Sequence, residues 1–158
     1  MAKSLSKIAT IVSLGTILSK LGGLVRQLII AGTFGIGSAY DAYNYAYIIP
    51  GFFLILIGGI NGPFHNSIVS VLSRKKNKEA QRVLSTVNTI IGVILIILSA
   101  IILAKASIII SILGPGLNNK THEIAVIQLR IMSPIVFLSG FIGIGFGSLN
   151  ARNDFFIA

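Results

Sequence analysis

Lys20 and Arg26 lie inside an otherwise apolar run, residues 8–31, that is long enough to cross a bilayer. A basic side chain near the bilayer centre costs about 2.5–3.5 kcal/mol on insertion scales. Two of them on one helix call for water, protein or an anionic ligand as a neighbour. Ser13, Thr16, Lys20, Gly23 and Gln27 recur at spacings of three and four, which is one face of a helix. That face is polar or small while the others are Ile, Leu and Val, the inverse of a soluble amphipathic helix. It therefore points to a bundle interior or a water-filled cavity. Arg26 lies beside the stripe, and a bend at Gly22-Gly23 is expected to bring it toward the same space. The competing reading has both side chains snorkel to opposite interfaces. Lys20 is too deep for that, whereas Arg26 and Arg130, each near the end of its span, fit either reading. Three inward basic residues with no buried acid would suit an anionic substrate, and phosphate fits because Lys and Arg both bind it.

No catalytic constellation accompanies these charges. His65 and His122 are far apart without ligand-spaced companions, and the chain has no Cys, so no metal site, cofactor or enzymatic activity is expected. Gly143-Ile-Gly-Phe-Gly147 and Gly35-Ile-Gly37 resemble nucleotide loops only superficially. Neither follows a strand or leads into Gly-Lys-Ser/Thr, and helix packing and a turn explain them.

Composition agrees with a membrane setting. Of 158 residues 54% are hydrophobic and only 11% charged, against about 25% in an ordinary soluble domain. The formal net charge of +9 comes from 13 Lys and Arg against four acids. These cations gather at helix ends, which implies topology and membrane-lipid headgroups as partners and not nucleic acid. The N-terminus imitates a signal peptide, yet no A-x-A-like site follows Ser19 and the apolar run resumes beyond Lys20. A retained signal-anchor helix is expected.

The elements that must position the charges are four apolar stretches, at about 8–31, 42–73, 83–104 and 124–149. They predict an all-α membrane protein with four transmembrane helices and no soluble domain. Asp41 is placed to cap the second helix, and Tyr40, Tyr43, Tyr45 and Tyr47 cluster as in an aromatic belt. As one helix, residues 42–73 would run about 48 Å against a hydrocarbon core of about 30 Å, so a break or a long projection is required. Pro50-Gly51 and Gly58 to Pro63 are the candidate breaks; the second is the stronger, with Gly59, Gly62 and Pro63 as its hinge residues. Arg74 to Arg82 reads as a charged loop and Ser107 to Leu113 as a short interfacial helix. With the N-terminus inside, Lys3, Lys7, Arg74, Lys75, Lys76, Lys78, Arg82 and Arg152 are cytoplasmic and only Lys105 and Lys120 are outside. Asp41, Glu79, Glu123 and Asp154 all lie away from mid-membrane. That argues against dual-topology multidrug exporters with an embedded carboxylate.

Ser13-Leu-Gly-Thr16, Leu18-Ser-Lys-Leu-Gly-Gly-Leu-Val-Arg26, Phe34-Gly-Ile-Gly37, Asp41-Ala42 and Ile49-Pro50 come in an order and spacing that resembles the MurJ (MviN) flippase family. Leu113-Gly-Pro-Gly-Leu117, Arg130 with Ser133-Pro134, and Gly147-Ser-Leu-Asn-Ala151 extend the resemblance over nearly the whole chain. It implies the start of a MATE-like helical lobe, within the multidrug/oligosaccharidyl-lipid/polysaccharide transporter superfamily. It also implies alternating-access transport of lipid II, the lipid-linked peptidoglycan precursor, across the bacterial plasma membrane. Carried over by position, headgroup binding falls on Lys20 and Arg26, with Asp41 at a matching acidic position and Arg130 at a matching basic one. Lys20 stands where Arg is usual and Gln27 where Asp is usual. The second-helix Arg and Glu are absent, at about Leu54 and Gly59, and Gly51-Phe52 replaces Asn-Leu. Members are much longer, so residues 1–158 are expected to form one incomplete transmembrane domain, completed by further helices or another membrane subunit. The alternatives are a related polysaccharide-lipid or drug exporter and a truncated, non-transporting remnant.

Overall fold

The computed structural model describes residues 2–35, 37–59, 62–75 and 77–151. Among them the chain forms six helices and no strand: α1 (Ala2–Phe34), α2 (Ser38–Leu56), α3 (Pro63–Ser73), α4 (Asn77–Leu113), α5 (Asn119–Met132) and α6 (Pro134–Ala151). The all-α class stands. Three rods are long and apolar enough to cross a membrane: Ala9–Phe34, Lys78–Leu113 and Asn119–Ala151. The fourth expected span is two helices, α2 and α3, and the span at 124–149 is likewise divided, into α5 and α6. Expectations that fall on Lys76, Arg152 and Asp154, and on the side chains of Lys3 and Lys7, lie outside the described residues.

α1 is one uninterrupted helix that passes through Gly22-Gly23. It stops where Gly35 takes φ +61°, a left-handed conformation that ends helices at little cost only for Gly or Asn. α2 then starts four residues earlier than the sequence pattern suggests, at Ser38, behind an extended Gly37. Asp41 therefore does not cap it. The carboxylate sits in the first turn, exposed, where it complements the helix dipole.

The break in the second span falls at the stronger of the two candidates. α2 carries Pro50 within it and continues to Leu56, and the helix is lost before Pro63 opens α3 at its first position. Ile57 and Gly58 both donate their N–H to the Phe53 carbonyl, at 2.9 and 3.4 Å, and Gly62 donates to Gly59 at 3.0 Å. α6 covers this irregular backbone. A Cβ on Gly143 would run into the Ile57 carbonyl oxygen, and one on Gly58 would lie 3.2 Å from the Ser139 carbonyl oxygen. Such proximity between backbones is what small residues permit at helix contacts in a membrane.

Pro134 makes the second break. It has no N–H to give the Arg130 carbonyl, and the Ser133 hydroxyl donates to that oxygen instead, at 2.9 Å. The Ser133 carbonyl in turn accepts from the buried hydroxyl of Ser99 on α4, at 2.8 Å. α5 itself begins at Asn118, whose side chain accepts from the Thr121 N–H at 2.8 Å.

The two broken rods run parallel and touch along their length. Gly114 lies beside Tyr45, Ser139 beside Gly58, and Gly147 beside Ile68. At the far end the Asn150 amide nitrogen meets buried His65 at Nε2, 3.1 Å away. α4 runs antiparallel to them, with Leu95 against Gly140, Ser99 on Ser133, and Ser111 on His122 at 3.0 Å. Its buried residues Leu95, Ser99, Ile102, Ala106 and Ile110 form one stripe at spacings of three and four. Ala42 and Ala46 of α2 and Ala125, Val126 and Leu129 of α5 fill the space opposite.

α4 corrects two expectations. Its 37 residues make about 55 Å of continuous helix, so Ser107 to Leu113 are its last turns and not a separate interfacial helix. Most of the charged loop is also helical, with Lys78, Glu79 and Arg82 on the opening turns of α4. Outside the buried stripe, Ile90, Val93, Ile94, Ile97 and Ile101 stay about half exposed, a surface suited to lipid.

Gly143→Ala is expected to destabilise the fold by about 1–3 kcal/mol through overpacking against the break. Gly145→Ala, with nothing within 4 Å of the new Cβ, should be neutral or slightly stabilising. Thermal unfolding in detergent compares the two, and equal melting temperatures would contradict the packing described. Ser99→Ala should cost about 1 kcal/mol in the same assay by leaving the Ser133 carbonyl with one donor fewer.

Candidate functional site

α1 and α2 form a hairpin about Gly35, and the polar residues of α1 meet the tyrosines of α2 near its closed end. From Ala9 to Phe34 no α1 residue is buried. Contact with α2 is confined to the last third of the helix. There the Arg26 guanidinium donates a hydrogen bond to the Tyr43 hydroxyl. Its central carbon lies 5.3 Å from the centroid of the Tyr47 ring and 6.0 Å from that of Tyr43. The two rings are themselves stacked, 5.8 Å apart at 12°. One turn closer to Gly35, the Gln27 amide donates to the Tyr40 hydroxyl at 2.7 Å.

The α2 sequence explains why the rings stand where they do. Tyr40, Tyr43 and Tyr47 are three and four residues apart and share a helix face. Gly51 follows one turn later on that face, and a Cβ there would sit 2.7 Å from the Tyr47 ring. Glycine at this position leaves the ring its place. Tyr45 points the other way, into the core beside Gly114 and Leu117. Three of the four tyrosines thus face α1 and one packs the bundle.

The energetics are of comparable size on both sides. A guanidinium over an aromatic face gains about 0.5–2 kcal/mol depending on desolvation. A hydrogen bond to a charged group adds about 1.5–3 kcal/mol. Together these match the insertion cost of about 2.5–3.5 kcal/mol for an arginine at depth. Arg26 turns onto α2, and it reaches α2 without any interruption of α1 at Gly22-Gly23. It remains exposed, with most of its five N–H donors directed at no protein acceptor.

The other residues singled out from sequence fall around this clasp and not within it. Lys20 is exposed, two turns before Gln27 and on the same face of α1. Asp41 is exposed on the first turn of α2, and Arg130 is exposed on the last turn of α5. Among the described residues none of the three bonds to Arg26. Gly22 and Gly23 have open space around them, with no atom within 4 Å of where a Cβ would stand, while Gly59, Gly62 and Pro63 belong to the break between α2 and α3.

Sequence reasoning missed Tyr40, Tyr43, Tyr47 and Gln128 as members of the site. A small apolar cavity of about 120 Å³ is lined by Ile30, Phe34, Ala39, Tyr40, Tyr43 and Gln128. The Gln128 side-chain oxygen is buried without a hydrogen-bond partner. The tyrosine spacing was visible as one helical face, and only the turn at Gly35 decides that this face meets α1. Among the described residues no three His, Asp or Glu side chains gather as metal ligands.

Comparison with known proteins places the chain. The sequence model of the family described as lipid II flippase MurJ matches residues 30–158. A probable lipid II flippase MurJ of Synechocystis is 49% identical over 99% of this chain and 29% of its own length. The lipid II flippase MurJ of Thermosipho africanus is 34% identical over 91% of this chain and 30% of its own length. That of Burkholderia cenocepacia is 28% identical over 89% of the chain. The chain thus spans under a third of the length of these curated relatives. No solved structure matches. The chain belongs to the lipid II flippase MurJ family.

Proposed function

We propose that residues 1–158 are the N-terminal part of a transporter that moves lipid II from the inner to the outer leaflet of the bacterial plasma membrane. The chain is a single, incomplete transmembrane domain, the opening of a MATE-like lobe, and further helices complete the cavity. α1, the α2–α3 pair, α4 and the α5–α6 pair each cross the membrane once. The N-terminus is cytoplasmic, which puts Arg74, Lys75, Lys78 and Arg82 inside and Lys105 and Lys120 outside.

The observation that carries this reading is Arg26, exposed at depth on a helix otherwise apolar around it and held with most of its donors free. A pyrophosphate is the kind of group such a guanidinium binds best, by paired N–H···O bonds. Gln27 supplies the direction. Its bond to Tyr40 turns the stripe of Ser13, Thr16, Lys20 and Gly23 to the side of α1 nearest α2. Lys20 then adds a second charge about 9 Å along the helix from Arg26, within reach of one headgroup. In alternating access the headgroup enters between α1 and the bundle while its lipid tail stays in the bilayer, and rocking of the lobes releases it on the other side. Asp41 and Arg130 act at the outer mouth.

A chimera in which residues 1–158 replace the matching segment of the Synechocystis relative tests the assignment. It is expected to support growth of a bacterium depleted of its own lipid II flippase. Lys20→Ala and Arg26→Ala should each abolish that growth, and normal growth of the double variant would refute the site. Orientation can be read on the same chimera because this chain has no cysteine of its own. In a cysteine-free background, Lys120→Cys should react with an impermeant maleimide on intact cells and Lys78→Cys should not. The reverse pattern would overturn the topology.

A further inference from the structure

We propose that Tyr47 and Tyr43 are positioning residues that present the Arg26 guanidinium edge-on to a phosphate-bearing headgroup. This rests on the reading of Arg26 as a headgroup ligand. The geometry divides the work between the two rings. The central carbon of the guanidinium stands over the Tyr47 ring, 5.3 Å from its centroid. Tyr43 takes one terminal N–H through its hydroxyl. A planar cation seated over one ring and tied at one corner cannot swing freely. Its remaining donors lie along its edge, which is the geometry paired phosphate oxygens require.

Three further features make the arrangement a built one. Tyr43 and Tyr47 stack on each other, so neither ring turns independently. Gly51 leaves space for the Tyr47 ring, and any larger residue would push it aside. The Gln27–Tyr40 bond fixes the rotation of α1 one residue away from Arg26. A role as a mere fastener between α1 and α2 would need no such seat for one ring.

The test uses the full-length chimera in lipid nanodiscs, with fluorescent lipid II as the probe and melting temperature measured in parallel. Tyr47→Leu is expected to weaken binding about fivefold, the loss of one cation–π contact, with the melting temperature unchanged. Tyr47→Phe keeps the ring and should recover most of the affinity lost in Tyr47→Leu. Gly51→Ala, which displaces the ring without removing it, should weaken binding in the same direction as Tyr47→Leu. Parental affinity in Tyr47→Leu, alongside lost binding in Arg26→Ala, would overturn the positioning role and leave the headgroup site standing. A melting temperature that falls in step with affinity in both Tyr47 variants would also overturn it, showing a fastener. Parental binding by Arg26→Ala would instead remove the headgroup reading on which the inference rests.

Discussion

Backbone polar groups inside a bilayer have no water to bond, and this fold depends on how that constraint is met at two places where helices stop. An unpaired N–H or C=O in hydrocarbon costs several kcal/mol, so irregular backbone there must be covered by protein. The break between α2 and α3 is covered by α6 at Ser139 and Gly143. The break at Pro134 is closed by the Ser133 hydroxyl and by Ser99 from α4. The two broken rods lie side by side, so one interface serves both. At that interface Gly58 and Gly143 face the backbone of the other rod and Gly147 faces Ile68, while Gly140 makes room for Leu95 of α4.

The bundle of α2 to α6 meets its own requirements, and α1 stands apart from it. Among the described residues none from Ala9 to Phe34 is buried, and α1 meets α2 at a short polar and aromatic seam near Gly35. The same seam makes an arginine tolerable at depth. Tyr43 and Tyr47 offset its insertion cost and still leave donors for a ligand.

Much of this was legible in the residues. The helical class followed from apolar runs of spanning length, and Gly58 to Pro63 marked the stronger break because glycines and a proline stood together mid-span. The order of motifs from Ser13 to Ala151 carried the family, which the relatives then matched over nearly the whole chain. Other readings went astray where helix ends were judged from hydropathy alone. Polar residues such as Lys78 and Glu79 still form the first turns of α4, because a helix continues into the interface as long as its backbone bonds do. The cluster of tyrosines on α2 was visible in composition, which does not say that three of the rings face α1.

By itself the sequence determined the class, the punctuation and the unusual charges, because hydropathy, helical period, and glycine and proline are properties of neighbouring residues. The tertiary structure alone decided what those charges meet. Arg26 and Tyr43 are 17 residues apart, and His65 and Asn150 are 85 apart. Whether such pairs touch depends on the turn at Gly35 and on the parallel docking of two broken rods. Those are set by backbone approach at glycines and by the need to close open hydrogen bonds in a medium without water.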